Sequence, residues 1–358
     1  MTETGPTDFF HRQRVYRWRS LALLGLFAGV FILWFWSIYY GLELIFRLFA
    51  KSGAPSLIHI TKTLTIPSSV LSASLATVVV ASCSLTASIK AFLATRESGG
   101  SYVATALGGI PLGETESVLA TPAGRAREKI LRDVVSEMSL AASLPEPDIY
   151  LLPQEVSVNA LTAGFGQDDA ALILTKGALK YLDRAELSGL VGHELSHILN
   201  GDTRLNSLLA GGLKGFFFLL QIGLALPPFL PLVLAFGGIG YLSGQFLMKA
   251  LNRRREYLAD AYATQFTRDP RALARALIKI GGLGERRLTR ARQRVALEYQ
   301  HLFMVEPNQG WLRLFKTHPP LAERIWALWP EWDGHWADFE KNPIDYLQSS
   351  SDRTGLGG

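Results

Sequence analysis

The stretch Gly192-His193-Glu194-Leu195-Ser196-His197-Ile198 limits what this chain can fold into more than any other. Each helical residue advances about 100°, so with His193 at zero, His197 falls at about 40° and Glu194 at about 100°. Two imidazoles and a carboxylate then share one narrow helix face. The flanks support that helix: Leu187, Leu190, Val191, Leu195, Ile198 and Leu199 recur at helical spacing. Asp183, with Glu186 three residues on, makes a capping-box pattern at its start. Gly201 is a natural stop, and Asn200 and Asp202 beside it read as residues that shape the turn. Two histidines one turn apart can hold a single zinc ion, and the acid between them can take a proton from attacking water.

A hydrolytic zinc ion takes three protein ligands and keeps its fourth position open. The third candidate is Glu256, one turn before Asp260 on the same helix face. His193, His197 and Glu256 are therefore the expected ligands and Glu194 the expected general base. Asp260 is the expected acceptor for the outer N–H of His193, which would fix that ring's tautomer. A Glu-x-x-x-Asp pair alone is usually a solvated helix face; the intact His-Glu-x-x-His upstream gives it meaning.

Hydrophobic residues make up 48% of the 358, and the mean hydropathy is +0.17. The excess is gathered in four blocks, 21–46, 66–93, 205–226 and 232–248. The first is too long for a signal-peptide core and has no small-residue cleavage site after it. It carries Trp34, Trp36, Tyr39 and Tyr40 toward its outer end. The second is rich in Ser, Ala and Val, which suits close packing against another membrane helix. The third and fourth form a hairpin around the uncharged turn Pro227–Pro231. All four are expected to span a lipid bilayer. The net charge of +5 comes largely from arginines beside these blocks. It speaks for membrane flanks and against a nucleic-acid partner. Cys83 is the only cysteine, which excludes an internal disulfide or a multi-cysteine metal site and fits a reducing compartment.

The chain divides accordingly. Residues 1–95 are an anchor with two spanning helices, 96–121 a Gly/Ser/Thr-rich linker, and 122–204 the first half of a catalytic domain with the zinc motif. Residues 205–248 are the spanning hairpin, 249–348 the second half of the domain, and 349–358 a polar tail expected to be disordered. Thr121-Pro122 starts a helix with an apolar stripe of Ile130, Leu131, Val134, Val135, Met138 and Leu140. Residues 149–152 read as a strand, and 156–164 with 170–175 as a strand pair around the turn 164–169. Asp269-Pro270 starts another helix, the arginine-rich 285–294 is a solvated helix face, and His318-Pro-Pro320 precedes a helix over 321–328.

The chain resembles the membrane zinc metallopeptidases that include the HtpX-type heat-shock proteases and the type I CAAX prenyl proteases. The resemblance runs from about Arg125 to Leu328 and rests on four motifs in matching order and spacing. They are Val158-Asn-Ala-Leu-Thr-Ala-Gly164, Val191-Gly-His-Glu-Leu-Ser-His-Ile-Leu-Asn-Gly-Asp202, Arg254-Arg-Glu-Tyr-Leu-Ala-Asp260 and Thr317-His-Pro-Pro-Leu-Ala-Glu-Arg324. The first departs slightly, with Leu161 where the family commonly has an aromatic. The resemblance implies a gluzincin fold, mainly α with a small β-sheet, joined here to four transmembrane helices. It also implies that an edge strand receives substrate in extended form, that Asn159 and Ala160 lie along it, and that His318 stabilises the oxyanion. We expect the strand near 170–175, with Leu172 and Leu174, to pair with substrate through backbone bonds that tolerate many side chains. One zinc ion is the expected cofactor, and peptide or protein substrates, membrane proteins among them, are the expected partners together with the bilayer.

Four spanning helices place both termini and the catalytic domain on one side. Arg12, Arg14, Arg17 and Arg19, Lys90 and Arg96, and Lys249, Arg253, Arg254 and Arg255 mark that side as cytoplasmic. Arg47, Lys51 and Lys62 in the first outer loop weaken the contrast. The charges of Asp183, Arg184, Glu186, Asp202 and Arg204 around the motif speak against a zinc ion at bilayer depth. The expectation is a multi-pass protease of a prokaryotic inner or plasma membrane that removes misfolded or damaged membrane proteins. Two other readings compete with it: a CAAX-type processing protease with one specific substrate, and a catalytically silent membrane chaperone or scaffold. The presence of Glu194 and all three ligands speaks against the second.

Overall fold

The computed structural model describes residues 13–26, 99–117, 121–206, 239–283 and 319–332, with scattered positions between 28 and 93 and at 209 and 213. The chain divides into two compact units, residues 1–20, 95–204 and 252–358 in one and residues 21–94 and 205–251 in the other. The blocks expected to span a bilayer lie mostly outside the described residues, and among the described residues no helix is long and apolar enough to cross a membrane. His318, the stretch 285–294 and the tail 349–358 also lie outside them.

The first unit is mainly helical around one small sheet. Its strands are β1 (Ile110–Pro111), β2 (Asp148–Leu152), β3 (Ala160–Ala163) and β4 (Ala171–Thr175), in the order β1-β2-β4-β3. β3 and β4 are the expected hairpin, with Leu161 opposite Ile173, and β2 runs parallel to β4, with Tyr150 also opposite Ile173. Side chains alternate between the two faces of a sheet. Leu151, Ala160, Leu172 and Leu174 join the helical core on one face. Tyr150, Leu152, Leu161, Ala163 and Ile173 pack with Val103, Ala104 and Leu107 on the other.

Two expectations change here. The stretch expected as a linker builds part of the sheet layer: residues 99–106 are helical and β1 follows them. Its three packed apolar residues are too few to stand out from the surrounding Gly, Ser and Thr. The strand expected to receive substrate is an interior one. β4 is paired on both sides, so its backbone, with Leu172 and Leu174, has no ladder left for an extended peptide. Among the described residues, the edge strand on that side is β3, itself buried along its length.

Helix α1 (Pro122–Ala142) begins where Thr121 Oγ1 accepts from the Gly124 N–H at 3.1 Å. Leu131, Val134, Val135, Met138 and Ala142 form its buried stripe; Leu140 falls off that stripe and is 82% exposed. The short α2 (Lys176–Tyr181) leads to α3 (Arg184–Asn200). The capping box of α3 is reciprocal: the Glu186 N–H donates to Asp183 Oδ1 at 2.8 Å, and the Asp183 N–H to Glu186 Oε2 at 2.9 Å. It ends at Gly201, whose φ of 63° is the left-handed conformation a glycine takes cheaply. Helix α3 packs on α1, on β3 and on α5 (Pro270–Leu283). The last approach requires Gly189, since a Cβ there would lie 2.8 Å from the Leu273 nitrogen. Helix α4 (Ile239–Thr267) runs unbroken through the boundary expected at 248/249, and α6 (Leu321–Leu328) packs on α5.

Candidate metal centre

Helix α3 presents His193 and His197 one turn apart, their Nε2 atoms 3.1 Å from each other. Glu256 enters from α4, with Oε2 3.7 Å from His193 Nε2 and Oε1 3.7 Å from His197 Nε2. One ligand atom from each residue lies within 4.8 Å of the others. Two ligand atoms on a tetrahedral zinc ion stand about 3.4 Å apart, given bonds of about 2.0–2.2 Å. The trio fits one ion.

The outer shell decides which nitrogens face inward. His193 Nδ1 donates to Asp260 Oδ1 at 2.9 Å, and His197 Nδ1 donates to Asp202 Oδ2 at 2.6 Å. With both protons on Nδ1, two ring lone pairs face each other beside a carboxylate, an arrangement that repels itself unless a cation sits among them. Burial pushes His193 down to about 4, and Arg324 and His197 push the same way against Asp260, so the ring is neutral near pH 7. Burial alone would raise the Asp260 carboxyl, but the Arg324 charge and the His193 hydrogen bond outweigh it and hold it below its ordinary value.

Arg324, on α6, is fully buried. Its Nε and Nη2 donate to Asp260 Oδ2 and Oδ1 at 2.9 and 2.6 Å, and its Nη1 lies 3.0 Å from Glu256 Oε2. From the motifs alone this arginine has no role. The signal that could have found it is its place on the apolar stripe Leu321, Ile325, Leu328, where a solvated arginine has no business. Asp202, read as a turn residue, also orients His197, and is itself held by Arg255, whose Nη2 donates to the Asn200 carbonyl at 2.8 Å. Burial lowers Arg255 to about 10, still charged at neutral pH.

Glu194 lies on the same face of α3, 2% exposed, and accepts from Thr162 Oγ1 at 3.2 Å. Asn159 precedes β3: its carbonyl accepts from the Thr175 N–H at 3.1 Å, and its side-chain Oδ1 from the Ala160 N–H at 2.9 Å. The expected residues other than His318, Leu172 and Leu174 are thus gathered on α3, α4 and the β3 side of the sheet.

The pattern of peptidase family M48 matches residues 125–331, more than half of the chain and the whole of this cluster. The chain belongs to peptidase family M48. It is a metallopeptidase of the HtpX type within that family. It is 37% identical over 224 residues to the protease HtpX homolog of Kineococcus radiotolerans, covering 58% of this chain and 75% of that protein. It is 33% identical over 240 residues to that of Thermoanaerobacter pseudethanolicus, covering 59% and 75%. The crystal structure of S. mikatae Ste24p matches 55% of this M48 chain and 49% of that one at 17% identity and a TM-score of 0.34, a likeness too slight to carry an argument.

Proposed function

We propose that this M48 chain is a zinc-dependent endopeptidase, anchored in a prokaryotic inner or plasma membrane, that cuts misfolded or damaged membrane proteins on the cytoplasmic side. The observation that carries the peptidase chemistry is the facing pair of imidazole Nε2 atoms, 3.1 Å apart beside Glu256, each ring fixed from behind by an acid. His193, His197 and Glu256 would hold the ion. When bound, the ion polarises the scissile carbonyl and makes attacking water more acidic. Glu194 takes that water's proton and returns it to the leaving amine. His318 stabilises the developing oxyanion. Substrate lies extended along β3 beside Asn159 and Ala160, held by backbone bonds that tolerate many sequences. The four apolar blocks support the membrane anchor, and the arginines flanking them support cytoplasmic termini.

The test compares His193→Ala with Glu194→Gln in purified full-length protein. The first should lose both zinc and peptide hydrolysis. The second should lose hydrolysis and keep zinc, because a base is removed and no ligand. Glu194→Gln as empty of metal as His193→Ala would overturn the assignment, and strict dependence on a prenylated C-terminus would favour the CAAX-type reading.

A further inference from the structure

We infer that Thr162 is a positioning residue for the general base, and that it ties the base to the strand edge along which substrate lies. The inference rests on the proposed role of Glu194.

Strand β3 reads Ala-Leu-Thr-Ala, and all four residues are buried. Thr162 is its only polar side chain. A hydroxyl buried in such a place costs free energy unless it is bonded. Thr162 Oγ1 donates to Glu194 Oε2, 32 positions later, at 3.2 Å. With Thr162 6% and Glu194 2% exposed, water competes little for that bond. A glutamate has three side-chain torsions, and its helix fixes only where they begin. The bond from the sheet sets the plane of the carboxyl group from outside α3.

The backbone of Thr162 faces the other way. In an antiparallel ladder, residues alternate between those bonded to the partner strand and those turned outward. The Thr175 N–H donates to the Asn159 carbonyl, so Asn159, Leu161 and Ala163 turn toward β4, while Ala160 and Thr162 turn away from it, toward the strand's outer edge. The Ala160 N–H agrees with this phase, being taken by Asn159 Oδ1. One residue therefore turns its backbone away from β4, toward the edge where substrate is proposed to lie, and its hydroxyl to the base. A peptide paired with this edge holds Thr162 in the conformation that aims Glu194.

The experiment measures kcat, KM and zinc content for zinc-loaded full-length Thr162→Val, Thr162→Ser and Glu194→Gln, with an internally quenched casein-derived peptide as substrate. Valine keeps the shape and removes the hydroxyl; serine keeps the hydroxyl. Thr162→Val should lower kcat roughly 10- to 100-fold, the range for a hydrogen bond to a charged group. KM and zinc content should stay close to wild type, and Thr162→Ser should recover most of the lost rate. The inference is overturned by an unchanged kcat in Thr162→Val, by a loss confined to KM, by loss of zinc, or by a serine variant as slow as the valine one. Glu194→Gln separates the two layers. If it keeps full activity, the role of Glu194 falls and this inference with it. If it is inactive while Thr162→Val is unaffected, this inference falls alone.

Discussion

Arg324 meets Glu256 with Nη1 3.0 Å from Oε2, and the arginine has no exposed surface. One cation from α6 thus serves two acids of α4, the candidate ligand Glu256 and the Asp260 that steadies His193. Burial opposes the charge, but Asp260 and Glu256 outweigh it and hold the guanidinium above its ordinary pKa. Removing one partner of such a buried group costs about 3–5 kcal/mol. Arg324→Met should therefore destabilise the metal-free protein by that order, and the zinc-loaded protein by less, because the ion supplies positive charge beside Glu256. Thermal unfolding with and without chelator reads the difference; equal losses in both states would refute it.

Asp202 should matter to metal affinity although it is no ligand. It accepts from His197 Nδ1 at 2.6 Å and is bonded to Arg255. Asp202→Asn removes the charge that makes His197 a stronger donor to the metal. Loss of such an outer partner typically weakens binding about 10- to 100-fold. Competition with a chromophoric chelator should show that loss, with one zinc still bound at saturation. Unchanged affinity would return Asp202 to a turn-forming role.

Glu186 should give the fold a pH slope. Burial raises its carboxyl above 4.5, against the pull of Lys279, whose Nζ lies 2.7 Å from Oε2. A raised folded-state pKa means that the folded chain holds this proton more tightly than the unfolded one. The stabilisation is full below 4.5 and is lost as pH rises through the raised value. Glu186→Gln keeps an oxygen for the capping box and cannot titrate, so its stability should lack that slope. Denaturant titrations across this range check it; wild type and variant running parallel would contradict it.

The proposed membrane topology predicts reporter activity at four points. Fusions after residues 120 and 350 should report the cytoplasm, and fusions after 55 and 229 the opposite side. An external reporter at 120 or 350, or a cytoplasmic one at 55, would overturn the topology.

What was legible in the sequence was local. The metal-facing helix could be read because three chemical residues and its apolar spacing agree within one 17-residue element, closed by Asp183 and Gly201. The β3–β4 hairpin could be read because its partners are neighbours in the chain. The strand order could not: it depends on the parallel pairing of β2 with β4, a long-range choice that leaves no periodic trace and makes interior β4 look like an edge strand. Arg324 was hidden for the same reason. Its acids lie on another helix, Asp260 64 residues away, and only the fold shows that they meet.

The positions of these charges along the chain also set an order of events during synthesis. His193 precedes Arg324 by 131 residues, so a growing chain has made both histidines and both α4 acids well before their counter-charge exists. A polypeptide arrested before residue 320 lacks α6, and with it the guanidinium that its two acids share. The ion pairs behind the site can form only once residues 321–328 have been made. Until then Asp260 lacks the guanidinium that donates to both of its oxygens.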